Sequence, residues 1–256
     1  MYKYICLKEI KAELYTWKSL TWLLLTSLIF SVTSYLLLTN KELSLLDQTE
    51  LMWLLGKIII GVALLVVTID ASSSITSEFE KETAESLFLT PLSIKDFILG
   101  KLLALLSLWG VLYVVAIPYV YVASLGSKLF FPFLGYIALL GTLGVVGFTL
   151  IIFAISFLYR SSKNTLTTSL IFLLALSIPA LFSTTLKNNT PAQILSHINP
   201  VDSIFASLDN VLVDYQTSLA QNWIYIIPLI VFCLVGLILL IFSVRFFKKK
   251  GGVQNY

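Results

Sequence analysis

Charged residues are scarce in this chain. Asp, Glu, Lys and Arg make up only 12% of its 256 residues, whereas 58% are hydrophobic. A soluble domain of this length has too little interior to bury so much apolar surface. The composition therefore excludes a soluble globular protein.

Residues and motifs typical of catalytic and metal sites are also few. The chain has two cysteines and one histidine. Cys6 precedes the first apolar run and Cys233 lies within the last one, so they indicate no disulfide framework or Cys-rich metal site, and His197 is isolated from other candidate ligands. The Gly-Lys pairs at 56–57 and 100–101 lack the upstream glycine and the following Ser or Thr of a P-loop. We expect no catalytic, cofactor or metal site here.

Long apolar runs dominate the chain instead. A helix needs roughly 20 apolar residues to cross the hydrocarbon core of a bilayer. The sequence predicts six such spans, over residues 22–38, 51–69, 98–124, 132–158, 166–186 and 223–244. The predicted fold class is an all-α membrane protein, with residues 1–256 forming a single transmembrane domain.

The basic residues predict the orientation of these spans. With the N-terminus in the cytoplasm, 13 of the 17 Lys and Arg residues fall on the cytoplasmic side. The positive-inside rule then places both termini in the cytoplasm. This arrangement also accounts for the net charge of +3, so the charge does not indicate a nucleic-acid partner.

Two segments outside the spans have helical patterns. Over residues 1–19, Leu7, Ile10, Leu14 and Trp17 share one face, which predicts a helix lying in the headgroup plane with its lysines toward anionic lipid. A plain basic flank is the alternative.

Over residues 187–222, the pattern predicts two short external helices, at 191–198 and 200–215. They are too short to span, so we expect them on or in the outer leaflet.

Two features inside the spans call for an interpretation. Gly141, Gly144 and Gly147 line one face of the fourth span, which favours close helix packing and not a nucleotide fingerprint.

Lys57 is a charge within the second span. Its side chain could snorkel to the outer interface, or it could mark a translocation path, as intramembrane charges often do.

The most unusual segment follows the second span. Residues 78–85 hold four glutamates, in a chain with only 14 acidic residues. Ser77 and Glu80 have the spacing of a capping box, and Pro91 would end the helix that they begin. The predicted helix carries glutamates on one side and apolar residues, including Phe79 and Leu87, on the other.

This segment resembles the permease subunits of ABC-2-type transporters. The matching residues run from the glutamates into Pro91-Leu92-Ser93 and the Gly-Lys pair at 100–101, with Phe88 where a second leucine is common. The resemblance implies that residues 72–96 form a cytoplasmic coupling segment that docks on a separate ATPase subunit. The candidate coupling residues are Glu78, Phe79, Glu80, Glu82, Thr83, Glu85, Leu87 and Pro91.

The resemblance also implies the partners. A transporter of this family has two permease copies, identical or related, and two ATPase subunits that would hold ATP and Mg²⁺. The substrate would pass between the permeases, generally outward. We therefore expect a multi-pass subunit of an exporter in a prokaryotic plasma membrane. The alternatives are a self-contained secondary transporter, which would need no ATPase, and a non-transport subunit that anchors an ATPase.

Overall fold

The computed structural model of the protein describes residues 2–39, 48–81, 93–125, 128–180, 198–212 and 223–247. Every regular element in these ranges is a helix. In chain order they are α1 (Tyr2–Leu14), α2 (Trp17–Thr39), α3 (Gln48–Ser74), α4 (Thr76–Glu80), α5 (Ile94–Ala123), α6 (Phe130–Tyr159), α7 (Ser162–Ala180), α8 (Pro200–Leu212) and α9 (Trp223–Phe247).

Six of these helices are long and apolar enough to cross a membrane, which confirms the predicted fold class. They are α2, α3, α5, α6, α7 and α9. Several extend beyond the predicted spans because polar and aromatic residues continue the helix past its apolar run, as Trp17 does at the start of α2. Residues 181–186 of the predicted fifth span lie outside the described residues.

Hydrogen bonds between helices show how the spans are arranged. At one end of the bundle, the Gln48 amide at the start of α3 donates to the carbonyl of Ala123 at the end of α5, at 3.1 Å. The Cys233 thiol donates to the Leu143 carbonyl, and the Ser243 hydroxyl to the Ala154 carbonyl. The later residue of α9 bonds to the later residue of α6, so these two helices run parallel. This is expected for the fourth and sixth spans of the chain.

Exposed aromatic side chains mark both ends of the bundle. Tyr15 and Trp17 are 87% and 84% exposed and lie near the start of α2. Tyr35, Phe131 and Trp223 are exposed at the opposite end. Tyr and Trp favour the membrane–water interface because their rings are amphipathic. The bundle therefore has the surface of a membrane-embedded protein.

The glycine face of α6 serves close packing, as predicted. Gly141 lies against the indole of Trp109, and Gly147 lies against the ring of Phe232 on α9. Gly144 lies against Ile204 of α8. Absence of a side chain at these positions lets large neighbours approach the α6 backbone. The second half of α6, from Gly144 to Phe157, is mostly buried.

The helix α8, in the segment predicted to be external, is covered by protein. Ten of its 13 side chains are buried, and it packs among α3, α6, α7 and α9. Trp53 donates from its indole nitrogen to the Phe205 carbonyl at 3.2 Å, and Asn199 donates from its amide to the Leu176 carbonyl at 2.7 Å. The apolar side of α8 is therefore buried against protein. Residues 191–197 and 213–215 of the predicted helices lie outside the described residues.

The N-terminal helix also departs from its predicted pattern. α1 ends at Leu14, and Trp17 begins α2. The prediction that Trp17 shares a face with Leu7, Ile10 and Leu14 is therefore wrong, because the chain changes direction at Tyr15-Thr16. The Thr16 hydroxyl accepts from the Ser19 backbone N–H at 3.3 Å and so helps to begin α2.

Candidate functional site

The predicted coupling segment begins with the short helix α4. This helix starts at Thr76 and ends at Glu80, with Lys81 as its C-cap. Its N-cap is Ile75, whose side chain makes no capping hydrogen bond, so the predicted capping box of Ser77 and Glu80 is wrong. The backbone of Lys81 (φ −87°, ψ 1°) leaves the helical region, so one continuous helix from Ser77 to Pro91 is not formed either.

Glu80 binds a different helix from its own. Its carboxylate accepts hydrogen bonds from the backbone N–H of Ser162, at 2.6 Å, and from the Ser162 hydroxyl, at 2.8 Å. Ser162 is the first residue of α7, where unpaired N–H groups and the helix dipole favour a negative charge. The hydroxyls of Thr76 and Ser162 are also 2.8 Å apart. α4 thus caps α7.

Phe79 points into the bundle. Its ring centroid lies 5.8 Å from that of Phe157, at the end of α6, and 5.4 Å from that of Phe247, at the end of α9. The Arg160 guanidinium lies over the ring of Phe247 at 4.7 Å. Aromatic pairs at these separations are stabilising beyond the area that they bury. Phe79 therefore packs against two spans in this chain, on the side away from solvent.

Glu78 shares a buried cation with the N-terminal helix. The Lys101 ammonium, on α5, lies 3.3 Å from the Glu78 carboxylate and 2.8 Å from that of Glu9 on α1. Lys101 is buried. One buried cation thus pairs with carboxylates of two other helices, which ties α1 and α4 to α5. From the sequence, Lys101 was noted only as part of the Gly-Lys pair at 100–101, and Glu9 was not predicted to take part.

A second charged group lies at the same end of the bundle. Asp70, near the end of α3, is 2% exposed and forms an ion pair with Lys18 of α2. The indole of Trp22 also donates to the Asp70 carboxylate, at 3.3 Å. On α1, burial raises the pKa of the Glu13 carboxyl, and the negative charge of Asp70 raises it further. Sequence reasoning missed this group because the pattern of each helix alone does not show the pairing.

Three consecutive side chains thus connect α4 to the ends of four spans. Glu78 reaches α5 and, through Lys101, α1; Phe79 reaches α6 and α9; Glu80 reaches α7. We call these three residues the α4 junction. A rigid displacement of α4 would act on each of these helix ends, since packed elements move as units and do not deform continuously. The predicted residues Glu82, Thr83, Glu85, Leu87 and Pro91 lie outside the described residues.

Lys57 lies in another part of the molecule. Its ammonium is 3.3 Å from the ring centroid of Trp53, on the same helix, and 5.4 Å from that of Phe205 on α8. Cation–π contacts of this kind stabilise a charge that has been withdrawn from water. Lys57 therefore lies where α8 packs on α3, and does not join the α4 junction.

Comparison with known families identifies the architecture. Residues 26–242 match the family model described as ABC-2 family transporter protein. The chain belongs to the ABC-2 transporter family. The match covers all six spans in part or in full, together with the α4 junction. No curated protein matches the chain.

Membership of the ABC-2 family fixes the general role. The protein is a multi-pass transmembrane subunit of an ABC transporter, and its family associates with the membrane and with an ABC ATPase subunit. Membership also disfavours the secondary-transporter alternative, because ATP hydrolysis in this family belongs to a partner.

Proposed function

We propose that this protein is the membrane subunit of an exporter, driven by a separate ATPase subunit that docks on residues 78–91. ATP and Mg²⁺ are held by that ATPase, and a second permease copy, identical or related, completes the substrate path. The observation that carries the proposal is the α4 junction, which joins the start of this segment to α5, α6, α7 and α9.

The proposed segment has two parts with different tasks. Glu78, Phe79 and Glu80 are engaged within the chain, so their task is to transmit motion. The contact with the ATPase then falls to Glu82, Thr83, Glu85, Leu87 and Pro91. Carboxylates facing basic residues of the ATPase would set the register of docking more than its raw affinity. The positive-inside pattern supports a cytoplasmic position for this end and for both termini, in a prokaryotic plasma membrane.

Charge reversal in the contact part tests the docking. The double substitution Glu82→Lys and Glu85→Lys should release the ATPase subunit, because like charges would then face each other across the interface. Co-purification from membranes, at low and high salt, measures the effect, and we expect at least a tenfold loss of bound ATPase. Glu50→Lys, a reversal in the first turn of α3 at the other end of the bundle, is the matched control. Wild-type recovery of ATPase with the double variant would refute docking at these residues.

Lys57 is proposed as a contact on the translocation path. Lys57→Met keeps the apolar stem but removes the cation, and we expect it to lower transport at normal expression, whereas Lys57→Arg should retain transport. Substrate movement into inverted vesicles is the measurement. Unchanged transport with Lys57→Met would assign the ammonium a structural role only, between the rings of Trp53 and Phe205.

Reconstitution separates the exporter from a non-transport anchor. The permease and its ATPase, placed in vesicles, should move substrate in a nucleotide-dependent way. Mass identification of the molecule that co-purifies with the complex supplies the substrate to be followed. ATP hydrolysis without movement of that molecule would favour the anchor.

A further inference from the structure

The helix α1 separates its charges by sign. Glu9 faces the bundle and pairs with Lys101, and Glu13 is partly buried beside the Lys18–Asp70 pair. Lys8 and Lys11 lie on the opposite side and are exposed. The acidic side of α1 is therefore bound within the protein, and its basic side is left facing outward.

Around α1, too, acidic groups are engaged within the chain and cations are exposed. The acidic groups Asp70, Glu78 and Glu80 are all engaged by partners within the chain. Cations remain exposed at this end of the bundle on three other helices, at Lys95, Lys163 and Arg245. Tyr15 and Trp17, directly after α1, are the exposed aromatic residues expected at a membrane interface. A basic surface next to such a belt is complementary to anionic lipid headgroups.

We propose that the basic side of α1 docks on the anionic phospholipid surface, and that this docking sets the position of α4. The connection is the series of ion pairs from Glu9 through the buried Lys101 to Glu78. When lipid holds α1 in the headgroup plane, Glu9 holds Lys101 in place to bind Glu78. Anionic lipid then favours the coupled state of the transporter. The docking stands on its own, whereas the effect on coupling rests on the proposed function.

Docking can be measured without the ATPase. A nitroxide attached at the exposed position of Ala12, in a background with Cys6→Ser and Cys233→Ser, reports the depth of α1 in nanodiscs. We expect greater depth in phosphatidylcholine containing phosphatidylglycerol than in phosphatidylcholine alone. Lys8→Gln and Lys11→Gln should each reduce the preference for the docked position by about fivefold. Lys128→Gln, an exposed cation beyond the opposite end of α5, should leave it unchanged. Equal depth in both lipids would overturn the docking, as would a depth that changes only when the ATPase is added.

The connection is tested by the ATP hydrolysis of the complex that co-purifies with the protein. Phosphatidylglycerol should stimulate wild-type ATP hydrolysis several-fold. The variant that combines Lys8→Gln and Lys11→Gln should lose this stimulation. Glu9→Gln should also lose it while the nitroxide depth stays as in wild type, because this change breaks the connection but not the docking. Full stimulation with Glu9→Gln would overturn the connection. Absence of an ATPase in every lipid would refute the proposed function and leave the depth result standing.

Discussion

Lys101→Met is expected to reduce transport at least tenfold while the ATPase subunit stays bound. The substitution removes the cation that lies 2.8 Å from Glu9 and 3.3 Å from Glu78, and with it the ion pairs that join α1 and α4 to α5. Hydrogen bonds to charged groups contribute about 1.5–3 kcal/mol each, and about 1.4 kcal/mol corresponds to a tenfold change. The contact of α4 with α5 should therefore be lost, and with it the transmission of motion to that span. Transport and co-purification measured on the same preparation provide the test.

Two further variants separate transmission from folding. Lys95→Met removes an exposed lysine from the first turn of the same helix and should have little effect. Adding Glu78→Gln to Lys101→Met removes the charge of a carboxylate that has lost this ion pair, so the double variant should regain stability but not transport. Wild-type transport with Lys101→Met alone would show that the buried charges do not carry the coupling.

Gly147→Ala is expected to destabilise the bundle by about 1–3 kcal/mol, as overpacking in a core does. A Cβ at this position would lie 2.4 Å from a ring carbon of Phe232 on α9. That ring cannot easily move, since it packs against Phe148 at 5.2 Å and is stacked on Phe172 at 6.5 Å between centroids. The helices α6 and α9 must then separate. The thermal midpoint of the detergent-purified protein measures the loss.

The chain offers matched controls for this prediction. Alanine built at Gly61 or Gly110 meets no atom within 4 Å, so these substitutions should be neutral or slightly stabilising. Phe232→Leu in the Gly147→Ala background should restore part of the midpoint, because the smaller side chain returns the space. Equal midpoints for Gly147→Ala and Gly61→Ala would contradict the packing role of the glycine face.

Features set by local sequence were predictable, and features set by contacts between distant helices were not. The six spans were predictable because a run of about 20 apolar residues has few other stable arrangements. The glycine face of α6 was predictable too, since small residues at helical spacing permit close approach whichever neighbour fills the space. The cover of α8 was not predictable, because its pattern shows an apolar side but not whether lipid or protein covers it. Only contacts with Trp53, Leu176 and Gly144 settle that.

Apolar runs and one acidic segment were enough to predict a six-span membrane protein with a charged insert after the second span. Its resemblance to ABC-2 permeases, which the family match confirms, rested on that segment. The contacts of Glu78, Phe79 and Glu80 follow from tertiary packing alone. These side chains point in three different directions because successive residues of a helix are rotated by roughly 100° from one another. Which helix lies in each direction depends on how the spans pack, and the local sequence pattern does not contain this information.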